Sequence, residues 1–222
     1  MATKQRAQRG RPRSFDRETA LEQAMRAFWE HGYEAVSIAD LTETMGIKAP
    51  SLYAAFGDKR TLFEEAVEAY VRDIGAFSGR ALAEEPTARR AVARMLREAA
   101  AFHTLPGYPR GCMIITAATN CTVQSEEVVR SLQERRAQTV ELLEGRIRDD
   151  IRSGELPGAI DAHSLATYGA TVLQGMSQQA RDGADRTTLE RVAELAMAAW
   201  PTGRSDGGGE GAGGEGDLAP EG

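Results

Sequence analysis

The chain has 222 residues, 41% of them apolar and only eight prolines, which is enough for a packed globular core in one large or two small domains. Two cysteines, Cys112 and Cys121, are too few for a disulfide framework. With no secretory leader and no run of about 18 apolar residues, the expectation is a cytoplasmic protein without a membrane partner.

The net charge of −6 argues against nucleic acid only until its distribution is considered. Residues 1–13 hold Lys4, Arg6, Arg9, Arg11 and Arg13 with no acid, and residues 1–14 read as a basic flexible arm suited to a DNA groove. "SFDRETALEQAMRAFWEHGY" reads as the first helix, capped by Ser14 or Asp16, with Leu21, Ala24, Met25, Phe28 and Trp29 on its apolar face and Gly32 as its stop. "SIADLTETMG" is a short second helix capped by Ser37, and "KAPSLYAAF" a third whose Pro50 is tolerated because it falls in the first turn. A long fourth helix is expected from Lys59 to Leu82 behind Asp58.

Further on, residues 87–104 are amphipathic, and "GYPRGCMIITAATNC" reads as a buried helix. "SEEVVRSLQERRAQTVELLEGRIRDDIRSG" is a long helix ending at Gly154, and two more run through "DAHSLATYGATVLQGMSQQARDG" and "TTLERVAELAMAAWP". No strand pattern intervenes. The expected fold is all-α with about nine helices. Residues 202–222 form an acidic, glycine-rich tail unable to bury enough surface to order itself, and its "GAGGEG" matches a dinucleotide fingerprint by chance, lacking a strand before it and a helix after it.

A short second helix, a "MGIK" connection and a third helix entered through small residues fit a helix-turn-helix unit. A recognition helix enters the major groove by its N-terminal end, and Ala49, Pro50 and Ser51 keep that approach narrow and uncharged. Tyr53, one turn in, offers a ring to a thymine methyl and a hydroxyl to a phosphate, whereas Phe56 reads as core. Lys59 and Arg60 open the next helix against its dipole, a placement that nearby phosphates would compensate.

"GYEAVSIADLTETMGIKAPSLYAAFGDKRTLFEEAV" resembles the DNA-binding domain of the TetR/AcrR family of transcriptional regulators. The resemblance covers about residues 15–63. It implies a helix-turn-helix domain over 15–63, a ligand-binding and dimerisation domain over 64–201, and a homodimer that binds a double-stranded, pseudo-palindromic operator, most often as a repressor released by a small-molecule effector. Carried over by position, it makes Ser37 an N-cap near a phosphate, residues 48–55 the reading segment, and Lys59 a neighbour of the backbone. Ala54 and Ala55 lack hydrogen-bonding capacity, so readout would rest on Lys48, Ser51, Tyr53 and apolar contacts, with Arg13 and the arm beside the duplex. An activator would use the same residues.

In the last two helices Ala162, Ala166, Gly169, Ala170, Gly175, Ala193, Ala196 and Ala199 allow close packing, either within the protomer or across a four-helix dimer interface. An effector pocket is expected to draw on Phe102, Cys112, Ile115, Tyr168, Val172 and Met176. Cys112 and Cys121 are either buried structural residues or sensor thiols, with Arg110 a candidate to favour a thiolate at Cys112. The three histidines lie far apart, without zinc-ligand spacing, nucleophile elbow or phosphate loop, so no metal, cofactor or enzymatic activity is expected. The alternative reading is a small-molecule sensor whose front domain contacts protein. A steep salt dependence of DNA binding separates the two.

Overall fold

The computed structural model describes residues 15–202, so Arg13, the basic arm and the glycine-rich tail lie outside the described residues. Ten α-helices and one 3-10 turn make up the described part: α1 Arg17–His31, α2 Ile38–Thr44, α3 Ala49–Phe56, α4 Lys59–Asp73, α5 Phe77–Glu84, α6 Ala88–Phe102, α7 Met113–Thr116, a 3-10 turn Val123–Ser125, α8 Glu126–Ser153, α9 Ala162–Arg181 and α10 Arg186–Ala198. Among the described residues there is no strand, and no helix is long and apolar enough to cross a membrane.

Three of the four front helices, α1, α2 and α4, start where the sequence supplies a side-chain cap. Asp16 accepts from Glu18 N, Ser37 and Asp40 form a reciprocal capping box, and Asp58 accepts from Thr61 N at 2.7 Å. Helices this short are unstable alone and are held by the core beneath them. Phe28, Trp29, Leu41, Leu52, Phe63 and Tyr70 are fully buried there. Phe28 meets Phe63 edge to face at 5.1 Å, and Trp29 meets Tyr70 likewise at 4.9 Å. This front core continues past residue 63 and takes in Met113, Ala117, Val128 and Leu132.

A second core lies behind it, among α5, α6, the C-terminal half of α8, α9 and α10. Most of the small residues of the last two helices are used inside the protomer. Ala162, Ala166, Gly169, Ala170, Ala193 and Ala196 are buried, and a Cβ on Gly169 would stand 3.2 Å from Leu143 of α8. Gly175 and Ala199 are exposed, as are Val192 and Leu195 of α10, the latter at 73%. Within this rear core, Asp150 near the end of α8 accepts from Ala88 N at 2.7 Å at the start of α6; burial pushes its carboxyl above the usual range.

Two expected helices change on inspection. The fourth is interrupted: Ile74 N and Gly75 N both donate to Tyr70 O, and the chain restarts as α5 at Phe77. The side of Tyr70's ring occupies the space a Cβ on Gly75 would need, at 2.8 Å, so burial of the tyrosine requires glycine there and the helix breaks beside it. The "GYPRGCMIITAATNC" stretch is helical only over Met113–Thr116. The Ala117 carbonyl accepts Tyr33 N at 2.7 Å, and Cys112 N donates to Ser177 Oγ at 2.8 Å, so neighbouring segments bond with the ends of this short helix.

Candidate nucleic-acid interface and adjoining cavity

The turn between α2 and α3 closes through Gly46 N to Glu43 O and Ile47 N to Thr42 O, and Ile47 packs on the front core. Lys48 is the N-cap of α3 and gives it no side-chain hydrogen bond; its carbonyl accepts Ser51 N and Leu52 N. Its side chain is therefore free of any capping role. Leu52 and Phe56 bury one face of α3. The opposite face presents Lys48, Pro50, Tyr53 and Ala54 to solvent, with Ala49 and Ser51 half-buried at its edges. Tyr53 is 50% exposed, a large aromatic ring that nothing among the described residues covers. No acid lies on α3.

The other expected contacts are placed as follows. The Ser37 hydroxyl donates to Asp40 Oδ2 at 2.6 Å while accepting Asp40 N, so it is occupied in the cap, and those bonds hold the Asp40 carboxyl below its usual range. Lys59 opens α4 with its ammonium 4.3 Å from the centroid of the Tyr33 ring, half-buried, and burial lowers its pKa against the opposing pull of Glu34. Arg60 is engaged by carboxylates of its own chain, Glu64 at 3.8 Å and Glu127 of α8, so phosphates are not required to explain its position.

Other residues position this surface without having been identified from the sequence. Arg17 of α1 donates to the Ala55 carbonyl at 3.3 Å and to Glu65 at 2.6 Å, and its guanidinium lies 4.4 Å from the Phe56 ring centroid, so it ties the end of α3 to α1 and α4. Glu34 accepts Thr122 Oγ1 at 2.8 Å and Ser125 Oγ at 2.6 Å, and Arg181 of α9 donates to the Trp29 and Glu30 carbonyls at the end of α1. With the Arg60–Glu127 pair, these bonds join the front helices to the rear ones. No local pattern marks them, because the partners are 38 to 152 residues apart in the chain.

A cavity of about 260 Å³ opens where α4 breaks into α5. Tyr70, Gly75 and Phe77 line it on that side, His103 at the end of α6, Arg135, Arg136 and Thr139 from α8, and Ala170, Leu173 and Gln174 from α9. Cys112 and Ile115 are in its wall, but Phe102, Tyr168, Val172 and Met176 are not. Phe102 stacks on Phe77 at 5.2 Å, Tyr168 donates its hydroxyl to Ala196 O at 3.1 Å, and Val172 and Met176 pack with the rear core. The phase of α9 differs from that expected because apolar residues occur on more than one side of it. Sequence pattern then leaves its rotation open.

His103 is 1% exposed, and among the described residues neither of its ring nitrogens has a hydrogen-bond partner. Burial holds its pKa down to about 4, so the imidazole is neutral near neutrality. The Cys112 thiol is pushed up by burial, and Arg110 is not positioned to activate it: that guanidinium donates to the Ala180 carbonyl at 2.6 Å and to the Ala184 carbonyl at the end of α9. Cys121 is also raised, by burial and then by the Glu34 charge, partly offset by Lys59. Among the described residues no cluster of His, Cys, Asp or Glu has the makings of a metal site.

Comparison with known proteins agrees across the chain. Residues 20–66 match the family model described as bacterial regulatory proteins, tetR family, and residues 86–196 match the tetracyclin repressor-like C-terminal domain. The chain is 36% identical over 194 residues to the HTH-type transcriptional repressor ComR of Escherichia coli, covering 87% of this chain and 92% of that protein. It is 30% identical to the repressor BdcR of the same organism, covering 87% and 93%. A cysteine-substituted form of the TetR family transcriptional regulator CifR, complexed with 26-bp double-strand operator DNA, superposes with a TM-score of 0.82 at 46% identity, covering 86% of this chain and all of that one.

Proposed function

The chain belongs to the TetR family of bacterial regulatory proteins, and from that premise we propose that it is a cytoplasmic, homodimeric repressor whose α3 reads a pseudo-palindromic operator and which a small molecule releases. It is a transcriptional regulator and not an enzyme. The single observation that carries the reading is the acid-free outer face of α3, with Lys48, Pro50 and exposed Tyr53 set opposite buried Leu52 and Phe56. CifR, built alike, is bound to operator DNA.

In this reading Lys48, Ser51 and Tyr53 meet base edges and methyl groups, and Ala49 and Pro50 allow close approach. Ser37 and Lys59 keep the adjoining backbone-facing ends of α2 and α4 in place, and Arg13 with the arm runs along the duplex. Two copies of α3 must fall one helical turn apart, roughly 34–36 Å. A molecule in the cavity touches Tyr70, Gly75 and Phe77, so it acts on the break between the helix that carries the front core and the one that starts the rear core. The ties through Arg60, Glu34 and Arg181 transmit that displacement, and effector and operator then oppose each other by linkage.

The test is fluorescence anisotropy of the protein on the intergenic DNA beside its own gene, against scrambled DNA and over a salt series. Tight binding of two chains per site that weakens steeply with salt is the expected result. Binding that is indifferent both to sequence and to the substitution Tyr53→Ala would overturn the assignment of α3.

A further inference from the structure

We infer that the cavity at the α4–α5 break is built for a small organic acid, whose carboxylate pairs with Arg136 and Arg135 while a second polar group, a hydroxyl, bonds to His103. The inference rests on the reading of this cavity as the effector site and adds the chemical class of the ligand.

The lining contains two guanidinium groups and no carboxylate. Among the described residues neither Arg135 nor Arg136 lies within ion-pairing distance of an acid. Arg136 is half-buried and spends one of its five N–H groups on the Ile114 carbonyl at 2.7 Å. A cation removed in part from water and left without a counter-charge is unfavourable, and burial correspondingly weakens its hold on its proton. A carboxylate is the planar acceptor that the remaining fork fits.

His103 supplies the second observation. It is buried, in the cavity wall, with one donor and one acceptor nitrogen that both lack a partner among the described residues. A neutral imidazole cannot replace the arginines in neutralising an anion, but it matches a hydroxyl, which both gives and takes a hydrogen bond. Of the remaining wall, Val71, Phe77, Ile114, Ile115 and Leu173 are apolar beside the neutral polar Ser78, Gln138, Thr139 and Gln174, and this mostly apolar lining suits a hydrocarbon body better than inorganic phosphate or a sugar phosphate. At about 260 Å³ the space lies just below the roughly 300–1,000 Å³ that drug-sized ligands occupy, so the body is a single ring or a short chain.

The experiment is isothermal titration of the full-length protein, without DNA, using the three monohydroxybenzoates, benzoate and hexanoate, each beside its uncharged amide, and inorganic phosphate. At least one acid is expected to bind more tightly than its amide by about 10-fold or more, the size of a charge-assisted hydrogen bond. One hydroxybenzoate should exceed benzoate, and that excess should vanish in His103→Leu. Arg136→Gln should abolish the preference for acid over amide. Because that side chain also holds Ile114, Arg135→Gln is made in parallel; among the described residues the Arg135 carbonyl accepts Thr139 Oγ1 but its guanidinium has no hydrogen-bond partner, so loss of that group should reduce the preference in a folded protein.

Amides binding as well as acids, phosphate competing equally, no acid binding at all, or a preference that survives both arginine substitutions would each overturn the inference. These titrations contain no operator, so their failure leaves the regulator reading standing. An acid that binds through Arg136 yet does not release DNA would uphold this inference and refute the effector reading.

Discussion

Lowering the pH should weaken this protein through His103 in a way that can be isolated by one substitution. In the unfolded chain the imidazole takes a proton below its ordinary value of 6.5, whereas in the fold burial delays protonation to about 4. Between those values the unfolded state holds more protons, so stability is full above 6.5 and falls as the pH drops towards 4. Integrating over that window, the loss is about 2 kcal/mol at about pH 5 and about 3 kcal/mol once both states are protonated. The same side chain has two buried nitrogens without partners, a defect worth roughly 1–3 kcal/mol at neutral pH. His103→Leu, of similar volume, should therefore be at least as stable as the parent near neutrality and should lose less on acidification. Urea unfolding of both proteins at the two pH values, with equal slopes on denaturant, gives the difference directly, since all other titrating groups cancel. Equal acid sensitivity of parent and variant would refute the argument and mean that His103 is satisfied or accessible in solution.

Four further outcomes are expected. Tyr53→Ala and Lys48→Ala should each weaken specific operator binding by about 1–3 kcal/mol per lost base contact without lowering the melting temperature, because neither side chain supports the core. Arg17→Ala removes a carbonyl bond, a cation–π contact and an ion pair whose side chains are 31% and 32% exposed; after allowance for screening, denaturant titration should show a loss of about 1–2 kcal/mol. Operator affinity should fall in the same variant, since the end of α3 loses its tie. Gly111→Ala should cost at least about 2 kcal/mol or abolish folding, as φ is +82° and the new Cβ would stand 2.8 Å from the Ser177 carbonyl oxygen; circular dichroism melting reads this. Loss of operator affinity with rising salt should be reduced when residues 1–13 are deleted, measured as the slope of log affinity on log salt, if the arm meets phosphates.

Local signals were sufficient wherever the determinant of structure lies within a few residues. Asp16, Ser37 and Asp58 cap the helices they precede, Pro50 is accommodated in a first turn, and Leu52 and Phe56 turn inward as their spacing from Tyr53 requires. The break at Gly75 has no local signal, because it depends on the ring of Tyr70 and not on a turn signature. The apolar pattern around α7 predicts a longer helix than the fold allows, because its ends are bonded by Tyr33 and Ser177, far away in the chain. At the candidate site the reading face of α3 was visible in sequence, but Arg17, which anchors it, was not.

The sequence by itself determined an all-helical chain, its helix-turn-helix unit and the side of α3 that faces outward, since each follows from period, caps and turn residues in one short window. Only the tertiary structure decided which side of α9 faces the cavity, that Arg110 serves the end of α9 and not the Cys112 thiol, and that, among the described residues, His103 stands unpaired beside two arginines without acids. The physical reason is common to all three: helix rotation, the partner of a long side chain and the burial of a titratable group are set by contacts between segments distant in sequence, and no local pattern records them.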